Sequence, residues 1–246
     1  MARVDKKWQT WCENFDAAGR DIQTLFHNRH VWISIEDMWM RSGIEIQLNT
    51  IVQNWFVRLY VNTQCTGIRR ECDYDGRTSS LVRCLQRLTE NPRMANRARF
   101  EAHVMSNADI ADEFKESRKR GFDYFALTPE TGCLDQDRIE ADIAKLHTAA
   151  ETTRYYTNKI IAHREPTTEK ITLSWTDLDR ALNTVGEVFK KYYRLRNSGT
   201  ILGAITIDLP LGWETPFRSA WCPADFWPQM ASPQLDAHLP SASVPE

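Results

Sequence analysis

Apolar residues recur at three- and four-residue steps along most of this chain, and few glycines or prolines interrupt them. That spacing builds helices with one buried face, and long breaker-free stretches leave little room for many short strands. The 246 residues include only 10 Gly and 10 Pro, several of the prolines near the C-terminus. A hydrophobic share of 42% is ample for a core, and the length fits one large domain or one domain with appendages. The expected fold is all-α: an antiparallel helical bundle over residues 1–199, a packed irregular extension over 200–232, and a disordered tail over 233–246.

Within the bundle, Val4, Trp8, Trp11, Phe15, Ile22 and Leu25/Phe26 predict a first helix over 4–29. The stretch "HVWISIEDMW" then alternates at Val31, Ile33 and Ile35, which predicts a short extended crossing from His30 to Ile35. A second helix is expected from about Gly43 to Cys72, followed by the turn "DYDG" (Asp73–Gly76) and a third helix capped by Thr78. Asn107 or Asp109 could cap a helix over "IADEFKESRKRGF". Ile139, Ile143, Leu146, Ala150, Thr153, Thr157 and Ile160/Ile161 mark one stripe of a helix over Asp135–Arg164, closed by Pro166. A last helix starts after Ser174 and ends at "RNSG", with Gly199 suited to the position just past its end. The extension after it is expected to hold at most one short strand. The nine Trp read as packing anchors.

A formal net charge of −2 excludes coating nucleic acid by bulk electrostatics, so any RNA contact needs a local basic patch. Six cysteines form no C-x-x-C pair and no Cys/His cluster with zinc spacing. No apolar leader opens the sequence and no run reaches membrane-span length. A cytoplasmic protein with reduced thiols, no cofactor, no bound metal and no membrane contact is the expectation.

The segment from Thr157 to Glu165, "TNKIIAHRE", ends the long helix with Asn158 and His163 five residues apart. Together with the bundle around it, and with "GIRRECDYDGRTSSLVRCLQRL" (Gly67–Leu88), it resembles the HEPN superfamily (higher eukaryotes and prokaryotes nucleotide-binding), in particular its abortive-infection AbiU-like branch. The resemblance spans roughly residues 5–197. It implies a metal-independent endoribonuclease of prokaryotic defence or toxin type, homodimeric through the 135–164 helix, with an antitoxin or nucleotidyltransferase as partner. It also implies that His163 serves as general acid or base at the 2′-hydroxyl or leaving oxygen, while an arginine stabilises the scissile phosphate. Imidazole titrates near neutrality, and guanidinium offers a planar donor fork to phosphate oxygens.

The sequence departs from that branch at one position: Thr157 stands where the family carries its arginine. Arg154 is the nearest substitute, about 60° round an ideal helix from Thr157 but about 180° from His163, so the two could meet only across a dimer. Asn158 could orient a phosphate or ribose, and Arg164 and Lys159 are the expected RNA contacts. A second reading stays open, in which His163 is a helix-end residue favoured by the macrodipole and the protein is a non-catalytic scaffold for RNA, nucleotide or a protein partner.

Three other stretches combine cations with aromatic residues: "KESRKRGFDYF" (Lys115–Phe125), "KKYYRLRNSG" (Lys190–Gly199) and "NPRMANRARF" (Asn91–Phe100). Such runs can bind single-stranded RNA, and lysine or arginine near helix C-termini can equally serve helix electrostatics. His27 and His30 lack the further ligands a metal site needs, and His103 and His147 stand isolated.

Overall fold

The computed structural model describes residues 2–41, 50–75, 77–108, 110–128, 130, 132–162, 172–197, 205–207, 209 and 212–215. Eight α-helices occur among them: α1 (Ala2–Arg41), α2 (Thr50–Glu71), α3 (Leu81–Glu90), α4 (Arg97–Ser106), α5 (Asp112–Lys119), α6 (Gln136–Ala149), α7 (Glu151–Tyr156) and α8 (Trp175–Arg196). A 3-10 turn (Arg120–Tyr124) follows α5, and a π-helical turn (Thr157–Ala162) follows α7. The fold is all-α. The described residues contain no strand, only two isolated bridges, Asn96 to Cys133 and Ala126 to Leu134. No described helix is long and apolar enough to cross a membrane.

α1 is the spine. Trp11, Phe15, Ala18, Ile22 and Leu25 bury one face of it. It runs antiparallel to α2, since the Gln64 amide donates to the Leu25 carbonyl at 2.9 Å while Trp32 stacks on Tyr60. It runs antiparallel to α8 as well, through Phe15 stacked on Phe189 and Arg29 bonded to Asn183 and Asp179. The α1–α8 approach is close enough that a Cβ at Gly186 would come within 2.5 Å of the Phe26 ring. α3 closes the bundle, with the Trp11 indole donating to the Cys84 carbonyl at 2.9 Å. α6 lies antiparallel to α8, tied by Asp142, which accepts from both Lys191 and Tyr192.

Several expectations are corrected. His30–Ile35 is not extended: α1 continues through it to Arg41, because Trp32 and Ile35 fall on the buried side while Ile33 is exposed. Packing against Tyr60 and Trp175 outweighs the local β-branched preference. The cap of α3 is Ser80, whose Oγ accepts from Arg83 N, while Thr78 bonds back to Asp75. Residues 92–128 hold two helices, α4 capped by Asn96 and α5 preceded by Ala111, so Asn107 ends α4 and does not start a helix. The helix read as one piece over Asp135–Arg164 is two, broken at Ala150 and continued as a π turn. Among the tryptophans, Trp11 and Trp32 are buried anchors, whereas Trp55 and Trp175 are about half exposed.

The reading of α8 holds: Ser174 and Asp177 form a reciprocal capping box, and Arg196 is the last helical residue. Expectations for 43–49, Asp109, His163 to Pro166, Gly199 and the tail beyond Thr215 lie outside the described residues.

Candidate functional site

α6 starts at Asp135, whose carboxylate accepts from the backbone of Asp137 and Arg138. The stripe read from the sequence is buried at Ile139, Ile143, Leu146, Ala150, Thr153 and Thr157, and half-buried at Ile160 and Ile161. Its two threonines shape the end of the segment. The Thr153 hydroxyl donates to the Ala150 carbonyl at 2.8 Å, and the Thr157 hydroxyl donates to the Thr153 carbonyl at 2.7 Å. Hydroxyls that claim carbonyls one turn back compete with the backbone ladder and distort helices. Here the segment "TNKIIA" takes the i-to-i+5 pattern, a form concentrated at functional sites.

Thr157 is 2% exposed, so the position expected to carry the family's arginine is a packing position. Asn158 and Lys159 are half-buried on the π turn. His163 and Arg164 lie outside the described residues. The angles expected between Arg154 and His163 assumed an α-helix. A π turn advances each residue by less than the α-helical step, so that projection does not carry across Thr157–Ala162.

Arg154, the expected substitute cation, has a partner in His147, a residue that looks isolated in the sequence. Its Nη1 lies 2.7 Å from Nδ1 of His147. A guanidinium only donates, so Nδ1 is the acceptor and a neutral His147 carries its proton on Nε2. Burial first, and then the Arg154 charge, hold the His147 pKa below its ordinary value. Nε2 is buried without a hydrogen-bond partner among the described residues. The imidazole also stacks on Tyr74, centroids 4.4 Å apart and planes 10° from parallel, and the Tyr74 side chain is 48% exposed.

Among the described residues no carboxylate lies within ion-pair distance of Arg154. Its charge is therefore bonded to a neutral ring and is not cancelled by any described carboxylate. Beside it the Cys72 thiol is pushed up to about 12 by burial, with Arg154 pulling weakly the other way. The corner thus offers a guanidinium that no described carboxylate cancels and an exposed aromatic side chain, with the imidazole between them closed to solvent at Nε2. Phosphate oxygens suit the first, and a nucleobase suits the second.

Sequence reasoning missed Tyr74 and His147. His147 had a usable signal, because it stands seven residues, close to two full turns, before Arg154 on the same face. Tyr74 had none, since its contact is made between distant segments. The arginine-rich stretch Asn91–Phe100 is taken up by structure. Arg97 pairs with Asp123 at 2.6 Å and lies over the Phe122 ring, while Arg99 bonds the Met94 carbonyl and lies over Trp8.

The fold and this corner define an all-α helical protein with a cationic, aromatic-edged site at the junction of α2, α6 and α7. No protein-family model matches the chain, and no curated protein or solved structure does either.

Proposed function

We propose that this protein is a HEPN-type protein of prokaryotic defence or toxin systems that acts on RNA in the cytoplasm, as a metal-independent endoribonuclease. The observation that carries the reading is Arg154. It supplies, one turn before the "TNKIIAH" segment, a guanidinium whose charge no described carboxylate cancels. In this reading Arg154 takes the phosphate, Asn158 orients the ribose or phosphate, and His163 moves the proton, with Lys159 and Arg164 holding flanking RNA. The 135–164 segment forms the homodimer interface, and an antitoxin or nucleotidyltransferase is the protein partner.

Burial of Thr157 favours a second reading, a scaffold that binds RNA, nucleotide or a protein without cutting, because the family's own arginine position is filled by a packing residue. Incubating RNA with the purified chain in EDTA separates the two. Cleavage by the wild type that is lost in both His163→Ala and Arg154→Gln supports the nuclease. RNA binding without cleavage, weakened by Arg154→Gln, supports the scaffold. Neither binding nor cleavage at low salt rejects both.

A further inference from the structure

The basic stretches Lys115–Phe125 and Lys190–Gly199 are far apart in sequence, yet the fold joins them. Arg120, Asp123 and Tyr124 from the first, Lys191 from the second, and Arg138 of α6 line one open cleft of about 370 Å³. The 3-10 turn sorts its aromatic residues. Phe122 is fully buried and Phe125 nearly so, while Tyr124 between them is 64% exposed. Arg138 Nη1 donates to the Tyr124 carbonyl at 3.1 Å, which ties the turn to α6.

The charges are uneven. Asp123 is matched by Arg97, Asp135 by Arg138, and Asp142 by Lys191. Arg120 is exposed and has no carboxylate partner among the described residues, so it is the cation of the cleft that no described carboxylate cancels. An uncancelled cation beside an accessible ring is an arrangement that binds unpaired nucleotides, with a base stacking on the ring and a phosphate on the cation. A base-paired duplex does not offer its base faces for such stacking.

We infer that this cleft binds single-stranded RNA, one base stacked on Tyr124 and the adjoining phosphate held by Arg120, while Asp135 and Asp142 keep Arg138 and Lys191. The inference rests on the RNA reading above and adds a contact surface separate from the Tyr74–His147–Arg154 corner. It is tested by fluorescence anisotropy with a short labelled single-stranded oligoribonucleotide and the full chain, in EDTA at low salt.

Tyr124→Ala is expected to weaken binding about 5- to 100-fold, the loss of one base–aromatic stack, while Tyr124→Phe stays within about twofold of wild type. Arg120→Gln is expected to weaken binding and to flatten the plot of log affinity against log salt by about 0.7, one phosphate contact on a single strand. Both side chains are exposed, so the variants fold, which circular dichroism checks. Wild-type binding that neither Tyr124→Ala nor Arg120→Gln alters overturns the cleft and leaves the RNA reading standing. Absence of RNA binding by the wild type overturns the RNA reading and the cleft with it. Binding of polyglutamate as tight as that of RNA, lowered by Arg120→Gln but not by Tyr124→Ala, marks an acidic-protein surface and overturns the inference.

Discussion

Arg154 bonds His147 across the break at Ala150, guanidinium to imidazole at 2.7 Å. The contact makes one unit of α6 and α7 and gives His147 a defined tautomer without a carboxylate. An arginine paired with an aspartate would fix the same corner and lose its attraction for phosphate. Paired with a neutral ring, it keeps that attraction.

His147 is expected to titrate below the ordinary histidine range, because burial and Arg154 both disfavour the imidazolium. Its folded pKa is depressed, so the unfolded chain takes up the proton first as the pH falls. The stability it contributes is present above about 6.5, the unfolded value, and is lost as pH drops through the folded value. Proton NMR of the ring should show the low midpoint. Arg154→Gln should move it up without restoring the ordinary value, since burial is the larger cause. A His147 midpoint at or above 6.5 in the wild type would refute the burial of the ring against Arg154.

Glu71 works in the opposite direction. It closes α2, is 1% exposed, and its Oε2 accepts from Leu81 N at 3.0 Å, the first residue of α3. Oε1 has no hydrogen-bond partner among the described residues, and Arg70 Nε at 3.7 Å is too far to supply one. Burial pushes the carboxyl up to about 8. The folded chain therefore holds a proton that the unfolded chain releases near 4.5, and stability falls as pH rises from there through about 8. Glu71→Gln keeps an acceptor for Leu81 and removes the charge. It should flatten that decline and exceed wild type at pH 8 by roughly 1–4 kcal/mol in urea unfolding. A parallel decline in both proteins would show that Glu71 is not the source.

The sequence makes the α6–α7 stripe legible because each of its members meets the core, and α8 legible because Ser174, Asp177 and a regular apolar face agree. α1 is misread at His30–Ile35 because a β-branched alternation imitates a strand while Trp32 and Ile35 still keep helical register with Leu25. α4 shows only Phe100 and Val104 as a buried pair, too short a signal to stand out among arginines. The π turn has no signature in apolar spacing. It arises from threonine hydroxyls whose carbonyl partners are known only once the helix is folded. The Tyr74–His147 stack is a contact between the end of α2 and α6, which periodicity along either segment cannot register.

Thr157→Arg, the substitution that would place an arginine where the HEPN motif carries one, is expected to unfold the corner before it creates a nuclease. The side chain is 2% exposed and has no described carboxylate beside it. An unpaired buried charge costs about 3–5 kcal/mol. Thr157→Val keeps the shape, loses one hydroxyl donation to Thr153, and should cost about 1 kcal/mol. Urea unfolding of the two variants measures the gap. Equal stability would mean that the position opens to solvent or to a partner.

Thiol reactivity provides a map of the core that does not depend on any ligand. Cys65, Cys72 and Cys84 are pushed up to about 12 by burial, and Cys12 to about 11. All four are buried free thiols, whereas Cys133 is half-buried beside the bridge to Asn96. The thiolate is the reacting species, so both access and ionisation protect the four. In a Cys222→Ser background, which leaves the other five cysteines in place, Ellman's reagent at pH 8 should modify Cys133 promptly. The other four should react only as fast as the bundle opens, and full reaction should follow in denaturant. Fast modification of Cys72 in the native protein would place a solvent path beneath Arg154, and the corner would then be looser than its hydrogen bonds imply.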